Sequence, residues 1–405
     1  MKKTLYVHIG TPKTGTTAIQ LFCEANQEAF RKKGYDYPIL PFKYRYVSLR
    51  RNGHFLAGSI WDEEGNRDVE KEKEALKLGY EMLEESFKTY DNVVLSDENL
   101  WNRTAYGKFE AWKSLKKFVD SHGWQLKIIV YLRRQDEMAV SWLKQQIQNG
   151  WNKYCKLEWE TFIKNTKGLM LDYYSFLEKL GKVIGKENII VRVFERDNFH
   201  GGRIEADFLD ALGLELTKDY EVSDEKHNLT ISCNACEIKR IINELPDHDR
   251  ETLPFVRKVT EQYVGTNPSE EKSEWFSPEE RKKFLEKYKD CNEKIAREFL
   301  HREDGRLFSD AMKESPKWQK NNPNMLWDVI RFFGEMNLLQ QKEIEALRQE
   351  NKNRMEEIRE LKNADRELRR ELKARIRDLE QTALLFRLRR KTRHLLGMDK
   401  TEENA

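Results

Sequence analysis

Glycines, a lysine and paired threonines stand together in Val7-His8-Ile9-Gly10-Thr11-Pro12-Lys13-Thr14-Gly15-Thr16-Thr17. An apolar, β-prone run leads into this loop, and a helix-type pattern (Ala18, Ile19, Leu21, Phe22, Ala25) leads out of it. Backbone N–H groups at a helix start lack intrahelical acceptors, and the helix dipole adds positive potential there, so such a junction is suited to an anion. Thr16 and Thr17 add hydroxyl donors, and Lys13 adds a charge able to reach a group in transfer. The chemistry indicated is the handling of a nucleotide with phosphate-like groups. Two other strand ends carry reactive types. Glu98 follows Asn92-Val93-Val94-Leu95-Ser96-Asp97, and a carboxylate so placed can take the proton of an acceptor hydroxyl. Arg133 follows the apolar run Leu126–Leu132, and its fork of donors matches phosphate oxygens. Ser141, eight residues on, lies two helical turns away, where it can point back to the same anion; Arg134 competes with Arg133 for that task. His54, in Asn52-Gly53-His54-Phe55, is a substrate contact or an alternative base.

The order of elements must bring these residues together. Strands are expected at 4–9, 92–96, 126–132 and 188–194, with a short one near Tyr35-Asp36-Tyr37-Pro38. Helices are expected at 15–30, 69–90, 105–121, 134–149 and 203–212. Alternating strands and helices predict an α/β fold with a mostly parallel central sheet flanked by helices. Active residues of such sheets gather at the carboxyl ends of strands, where Lys13, Glu98 and Arg133 fall. Residues 41–67 are aromatic and basic without a period and are read as a region lining a substrate cleft. Residues 228–315 read as helical, with Ser277-Pro278-Glu279-Glu280 as a helix start.

The loop is not a Walker A loop, G-x-x-x-x-G-K-[ST]. Gly10 and Gly15 keep the spacing, but Thr16 takes the lysine position and the lysine sits at Lys13. Pro12-Lys13-Thr14-Gly15-Thr16-Thr17 resembles the 5′-phosphosulfate loop of sulfotransferases that use 3′-phosphoadenosine 5′-phosphosulfate (PAPS). The spacing of Arg133 and Ser141 is similar to that of the pair with which this family grips the 3′-phosphate. The Ser96-Asp97-Glu98 strand end resembles that of bacterial and glycan sulfotransferases, where a Glu is the base; the small-molecule branch uses a His, which keeps His54 in play. The resemblance covers about residues 4–302 and implies a P-loop-like core, PAPS as co-substrate and no metal. It also implies binding by Pro12, Lys13, Thr14, Gly15, Thr16, Thr17, Arg133 and Ser141. Glu98 would be the base, Lys13 would stabilise the leaving phosphate, and the acceptor would be a carbohydrate hydroxyl on a bacterial surface or secreted glycan. Gln135 stands near where the family often has Pro, and the family's late Arg/Gly-rich cofactor loop is not recognisable, so the adenine pocket is left open. A P-loop kinase or other NTP-binding protein is the alternative, disfavoured by the missing lysine after Gly15 and with Asp97 as its one candidate Mg²⁺ ligand. A coiled-coil scaffold with a non-catalytic α/β domain is a third reading.

The chain has 405 residues and a net charge of +3, which gives no bulk electrostatic reason to expect a nucleic-acid partner. The apolar run after Met1-Lys2-Lys3 is too short for a signal-peptide core, and no stretch approaches a membrane span. The five cysteines are scattered, and Cys233-Asn234-Ala235-Cys236 lacks a second ligand pair, so a structural helix face in a reducing, cytoplasmic setting is expected.

The boundaries are read as an α/β domain at 1–315, a linker at 316–334, a coiled-coil helix at 335–383 and a basic amphipathic tail at 384–405. Between 335 and 383 there is no Pro or Gly, and Ile344, Leu347, Met355, Ile358, Leu361, Leu368, Leu372, Ile376 and Leu379 recur mostly at steps of three and four or their sums. Asn351 falls on that stripe and is suited to setting register, so a homo-oligomer through 335–383 is expected. Residues 384–396 combine leucines with five Arg/Lys and no acid, a composition suited to peripheral contact with the inner face of the cell membrane.

Overall fold

The computed structural model describes residues 2–62, 64–105, 109–223, 231–245, 256–260, 262–263, 273–310 and 314–396. Five strands form one sheet: β1 (Thr4–His8), β2 (Tyr35–Asp36), β3 (Asn92–Ser96), β4 (Gln125–Leu132) and β5 (Ile189–Val193). Their order is β2-β3-β1-β4-β5, and every pair is parallel. The chain runs from β1 outward to β2 and back to β3, then crosses to β4 and β5 on the other side. The order therefore reverses around β1, the position at whose carboxyl end open α/β sheets generally bind ligands. His8 pairs with both Ser96 and Ile129, so β1 and β3 end level while β4 runs on to Leu132.

The helices described are α1 (Thr16–Ala25), α2 (Gln27–Lys32), α3 (Val69–Thr89), α4 (Asn99–Ala105), α5 (Glu110–Ser121), α6 (Gln135–Asn149) and α7 (Trp159–Phe162). They continue with α8 (Tyr173–Ile184), α9 (Ile204–Ala211), α10 (Cys233–Ile242), α11 (Pro278–Glu286), α12 (Lys289–Phe299) and α13 (Met325–Leu395). Side chains of α1, α2 and α9 pack on the sheet face that carries Tyr6, Val94, Ile129 and Tyr131. With α3 and α5 against β3 and β4, the central strands are continuously apolar, as a parallel sheet covered by helices requires.

Three elements differ from the local pattern. The helix expected over 15–30 is two helices, because Asn26 pairs with the backbone of Glu221: its Nδ2 donates to the carbonyl at 2.8 Å and its Oδ1 accepts from the N–H at 2.6 Å. The same amide donates to the Phe22 carbonyl at 2.9 Å and caps α1. Asp97 starts α4 by accepting from the Asn99 N–H at 2.6 Å, so a short helix precedes the one expected over 105–121. α13 starts at Met325, inside the segment read as a linker. The capping box of Ser277 and Glu280 is present at the start of α11, and Cys233 and Cys236 are buried on α10.

Residues 1–332 and 333–405 pack as two units. Among the described residues no helix is long and apolar enough to cross a membrane.

A buried ion cluster ties α6 to α11. Asp136, fully buried, accepts from Arg134 Nε at 2.8 Å and Nη2 at 3.1 Å and from Arg281 Nη1 at 2.7 Å. Removing the shared anion leaves two buried guanidinium groups without it, and breaking a buried pair this way typically costs about 3–5 kcal/mol. Asp136→Ala should therefore lower unfolding free energy by roughly that amount, read from urea denaturation followed by far-UV circular dichroism. A loss below about 1 kcal/mol would show that the cluster contributes little.

Candidate functional site

The loop after β1 is fixed from below and open above. Thr11 donates through its N–H and its Oγ1 to the Tyr131 carbonyl, at 3.2 and 3.0 Å. Thr14 Oγ1 donates to the Thr11 carbonyl at 2.6 Å. These bonds hold a turn with three left-handed residues: Gly10 at φ +50°, Lys13 at +68° and Gly15 at +74°. At Gly15 a Cβ would stand 2.4 Å from Ile204 Cδ1, so only glycine lets the backbone pass under α9. Lys13 is a non-glycine residue in this conformation, which concentrates at ligand-holding turns.

Gly15 caps α1 without a side-chain hydrogen bond, and the first turn has no acid. The helices α3, α8, α10 and α11 receive side-chain caps, from Asp68, Asp172, Ser232 and Ser277, whereas α2, α5, α6, α7, α9 and α12 start without one as α1 does, so the left-handed glycine turn and the neighbouring cations distinguish α1. The first N–H groups of α1 thus have no side-chain acceptor. Thr16 is buried and Thr17 exposed at this start. Among the described residues the Lys13 ammonium makes no hydrogen bond or ion pair. Burial holds it below the usual lysine range, the charges of Arg133 and Arg257 press it the same way, and Glu98 opposes them. Three cations and one carboxylate thus converge on the loop.

Arg133 reaches the loop directly, since its Nη1 donates to the Lys13 carbonyl at 3.1 Å. Its Nε lies 3.2 Å from Glu137, and its guanidinium stacks over the Phe194 ring at 5.5 Å. Arg134 points the other way into its pair with Asp136, which separates the two neighbouring arginines. Ser141 is half-buried on α6, and among the described residues its hydroxyl has no hydrogen-bond partner.

At the end of β3 the segment 51–54 is stitched onto the strand. Asn52 Nδ2 donates to the carbonyls of Pro38 and Val94, and its Oδ1 accepts from the Ser96 N–H at 2.8 Å. Asp97, fully buried, is clasped by Arg51 through Nη2 at 2.9 Å and Nε at 3.2 Å, and by His54 Nδ1 at 2.7 Å. Burial alone would raise its carboxyl; the His54 hydrogen bond and charge, with those of Arg51, outweigh this and hold it below the usual range. Glu98 instead keeps a side chain 28% exposed and lies 3.5 Å from Arg51 Nη1. His54 is 3% exposed, committed to Asp97 on one nitrogen and packed edge-on against Tyr44 at 4.5 Å. Of the two candidate bases, Glu98 is the one open to solvent.

Arg51 and Arg257 were not singled out by any motif; Arg51 follows another arginine in a stretch without a period. A further loop reaches this edge from far along the chain. Ser309 donates to Glu195 through its N–H at 2.8 Å and its Oγ at 3.1 Å, and its carbonyl accepts from Arg134 at 3.5 Å. Beside it Arg302, Arg306 and Phe308 line an open cavity of about 480 Å³ at the end of β5. This cavity is lined by none of Lys13, Glu98 or Arg133.

His8, the last residue of β1, is fully buried; its Nδ1 lies 2.9 Å from Ser96 Oγ and its Nε2 has no partner. Burial pushes it down to about 3 from an ordinary value of 6.5. Between those pH values the unfolded chain binds the proton and the folded chain does not. Stability from this residue is present above pH 6.5 and lost as pH falls toward 3, at about 1.4 kcal/mol per pH unit. His8→Asn should flatten the pH dependence of unfolding free energy in that window relative to the parent protein. Equal slopes for the two proteins would mean that His8 takes up its proton in the folded state.

No protein-family model matches the chain. An uncharacterised protein of Archaeoglobus fulgidus is 29% identical over 197 residues, which are 49% of this chain and 52% of that protein. The chain thus spans about half the length of this relative.

Proposed function

We propose that this protein is a sulfotransferase that moves a sulfuryl group from PAPS to a carbohydrate hydroxyl. The observation that carries this reading is the uncapped start of α1 beside the unpaired Lys13 ammonium, with the exposed carboxylate of Glu98 near enough to act on its charge. The residues present fit such a nucleotide. Backbone N–H groups over Thr14–Thr17 and the hydroxyls of Thr16 and Thr17 would hold its 5′ end, and Arg133 and Ser141 its 3′-phosphate. When bound, the nucleotide supplies the sulfuryl group and departs as the 3′,5′-bisphosphate. Glu98 takes the proton of the acceptor hydroxyl, and Arg51, 3.5 Å away, holds that carboxylate in place. Lys13 supplies positive charge where negative charge collects on the departing phosphate oxygen. Asp97 would be the Mg²⁺ ligand of a kinase, but both its oxygens are already engaged by Arg51, His54 and the Asn99 N–H.

Isothermal titration with 3′-phosphoadenosine 5′-phosphate, against ATP with Mg²⁺, tests the reading without an acceptor. Micromolar binding of the bisphosphate is expected, weakened at least about tenfold in Arg133→Ala by loss of a charge-assisted contact and kept in Glu98→Gln. Mg²⁺-dependent ATP binding with none of the bisphosphate would replace this reading with a kinase. With an acceptor in hand, Lys13→Ala and Glu98→Gln should both lower kcat far more than they raise KM.

We also infer that the chain self-associates through residues 335–383 and works at the cytoplasmic side. One heptad register puts Ile344, Ile358, Leu372 and Leu379 at a and Leu347, Leu361 and Leu368 at d, all of them exposed on α13, with Asn351 at another a position. Sedimentation equilibrium should give a multiple of 48.5 kDa for the full chain and 48.5 kDa for Ile358→Asp/Leu361→Asp. A monomeric parent protein at micromolar concentration would overturn the inference.

A further inference from the structure

The long helix changes its apolar face before it ends. The heptad register that holds Leu372 and Leu379 reaches Phe386 as its next apolar a position. Beyond it the same register puts Arg389 at d and Arg393 at a, so the seam becomes cationic. Leu384, Leu385, Leu388 and Leu395 fall instead at f, g, c and c, outside any seam that a second helix would cover. At 3.6 residues per turn these four and Leu396 share a sector about 120° wide. The turn is continuous to its end, because the Leu396 N–H donates to the Thr392 carbonyl at 3.0 Å. The five leucines are 52–84% exposed.

The rest of the circumference is basic apart from Phe386. It carries Arg387, Arg389, Arg390, Lys391, Arg393 and His394, and no Asp or Glu occurs from Gln381 to Met398. The preceding coil differs, for there acids and bases alternate in pairs such as Glu350–Arg354 and Asp365–Arg369. A leucine sector interrupted by Thr392 alone, beside an acid-free cationic one, fits a surface that is itself layered, with anionic groups outside and hydrocarbon beneath. A nucleic acid would use the cations and leave the leucines in water. Thirteen residues rise about 20 Å, too short to span a bilayer and long enough to lie in its surface.

We propose that residues 384–396 seat the protein on an anionic lipid bilayer, leucine sector down. Arginine stems extend along the acyl boundary and place their guanidinium groups among the headgroups. One such segment binds weakly, and self-association would add a second and raise the avidity. The inference stands on these residues alone and is independent of the transferase reading.

Flotation of the purified full-length protein with vesicles tests it. The protein should float with vesicles of phosphatidylcholine containing about one-third phosphatidylglycerol, more weakly at higher salt, and should not float with phosphatidylcholine alone. Leu388→Asp/Leu395→Asp should lower the vesicle partition at least about tenfold, and Arg389→Gln/Arg393→Gln should lower it by a similar factor. All four positions are exposed, so the melting temperature should be unchanged and a loss of binding reads as a loss of docking. The proposal is overturned if anionic vesicles do not bind the protein. It is also overturned if binding ignores the two leucines, the behaviour of a purely electrostatic site, or if the arginines serve tight nucleic-acid binding while the vesicles stay empty.

Discussion

A helix that begins without a side-chain acceptor leaves its first N–H groups to whatever anion the surroundings provide. Here the start of α1 is held in that state by the backbone around it. Thr11 anchors the loop to β4, Gly15 passes beneath Ile204 with no room for a Cβ, and Asn26 locks the far end of the helix to Glu221. The amides are thus aimed by a braced scaffold rather than drawn into place by a ligand. Electrostatic stabilisation is strongest when donors are oriented beforehand, because nothing must reorganise at the moment charge moves.

Charges around the carboxyl ends of the strands divide into those committed to structure and those left available. Arg134 and Arg281 are consumed by Asp136, and His54 is consumed by Asp97. Arg51 does both, gripping Asp97 with two nitrogens while the third faces Glu98. Lys13, Glu98 and Arg133 remain partly accessible. The division follows burial: a charge is costly to bury unless paired, and the fully buried carboxylates of Asp97 and Asp136 each draw nearby cationic side chains into that role.

Much of the sheet is legible in the sequence because its central strands are covered on both faces. Leu5, Val7, Val93, Leu95, Ile128 and Val130 have to be apolar in succession, and unbroken runs announce them. The loop of Gly10, Lys13 and Gly15 is legible because its conformation restricts residue type. What escapes local reading depends on partners far away. Nothing near Asn26 says that Glu221 will end the helix, and nothing near Arg51 says that Asp97 will claim it. α8 is a different case: Phe176, Leu177, Leu180 and Ile184 follow a helical period behind the Asp172 cap, so its signal is wholly local. The loop at 302–309 lacks a pattern of its own, and only the fold brings it beside Glu195.

The position of β1 has a consequence for how the chain is made. It is made before the strands it pairs with, yet it lies in the middle of the sheet, against residues 92–96 and 125–129. At about 5–20 residues per second, its apolar face waits roughly 6–25 seconds on the ribosome for its second neighbour. The loop after β1 cannot close before then, because its anchor is the Tyr131 carbonyl. Newly made chains therefore pass through an interval with an unpaired, strongly apolar strand. Yield during expression should depend on chaperone supply and temperature even though the finished sheet hides that strand completely.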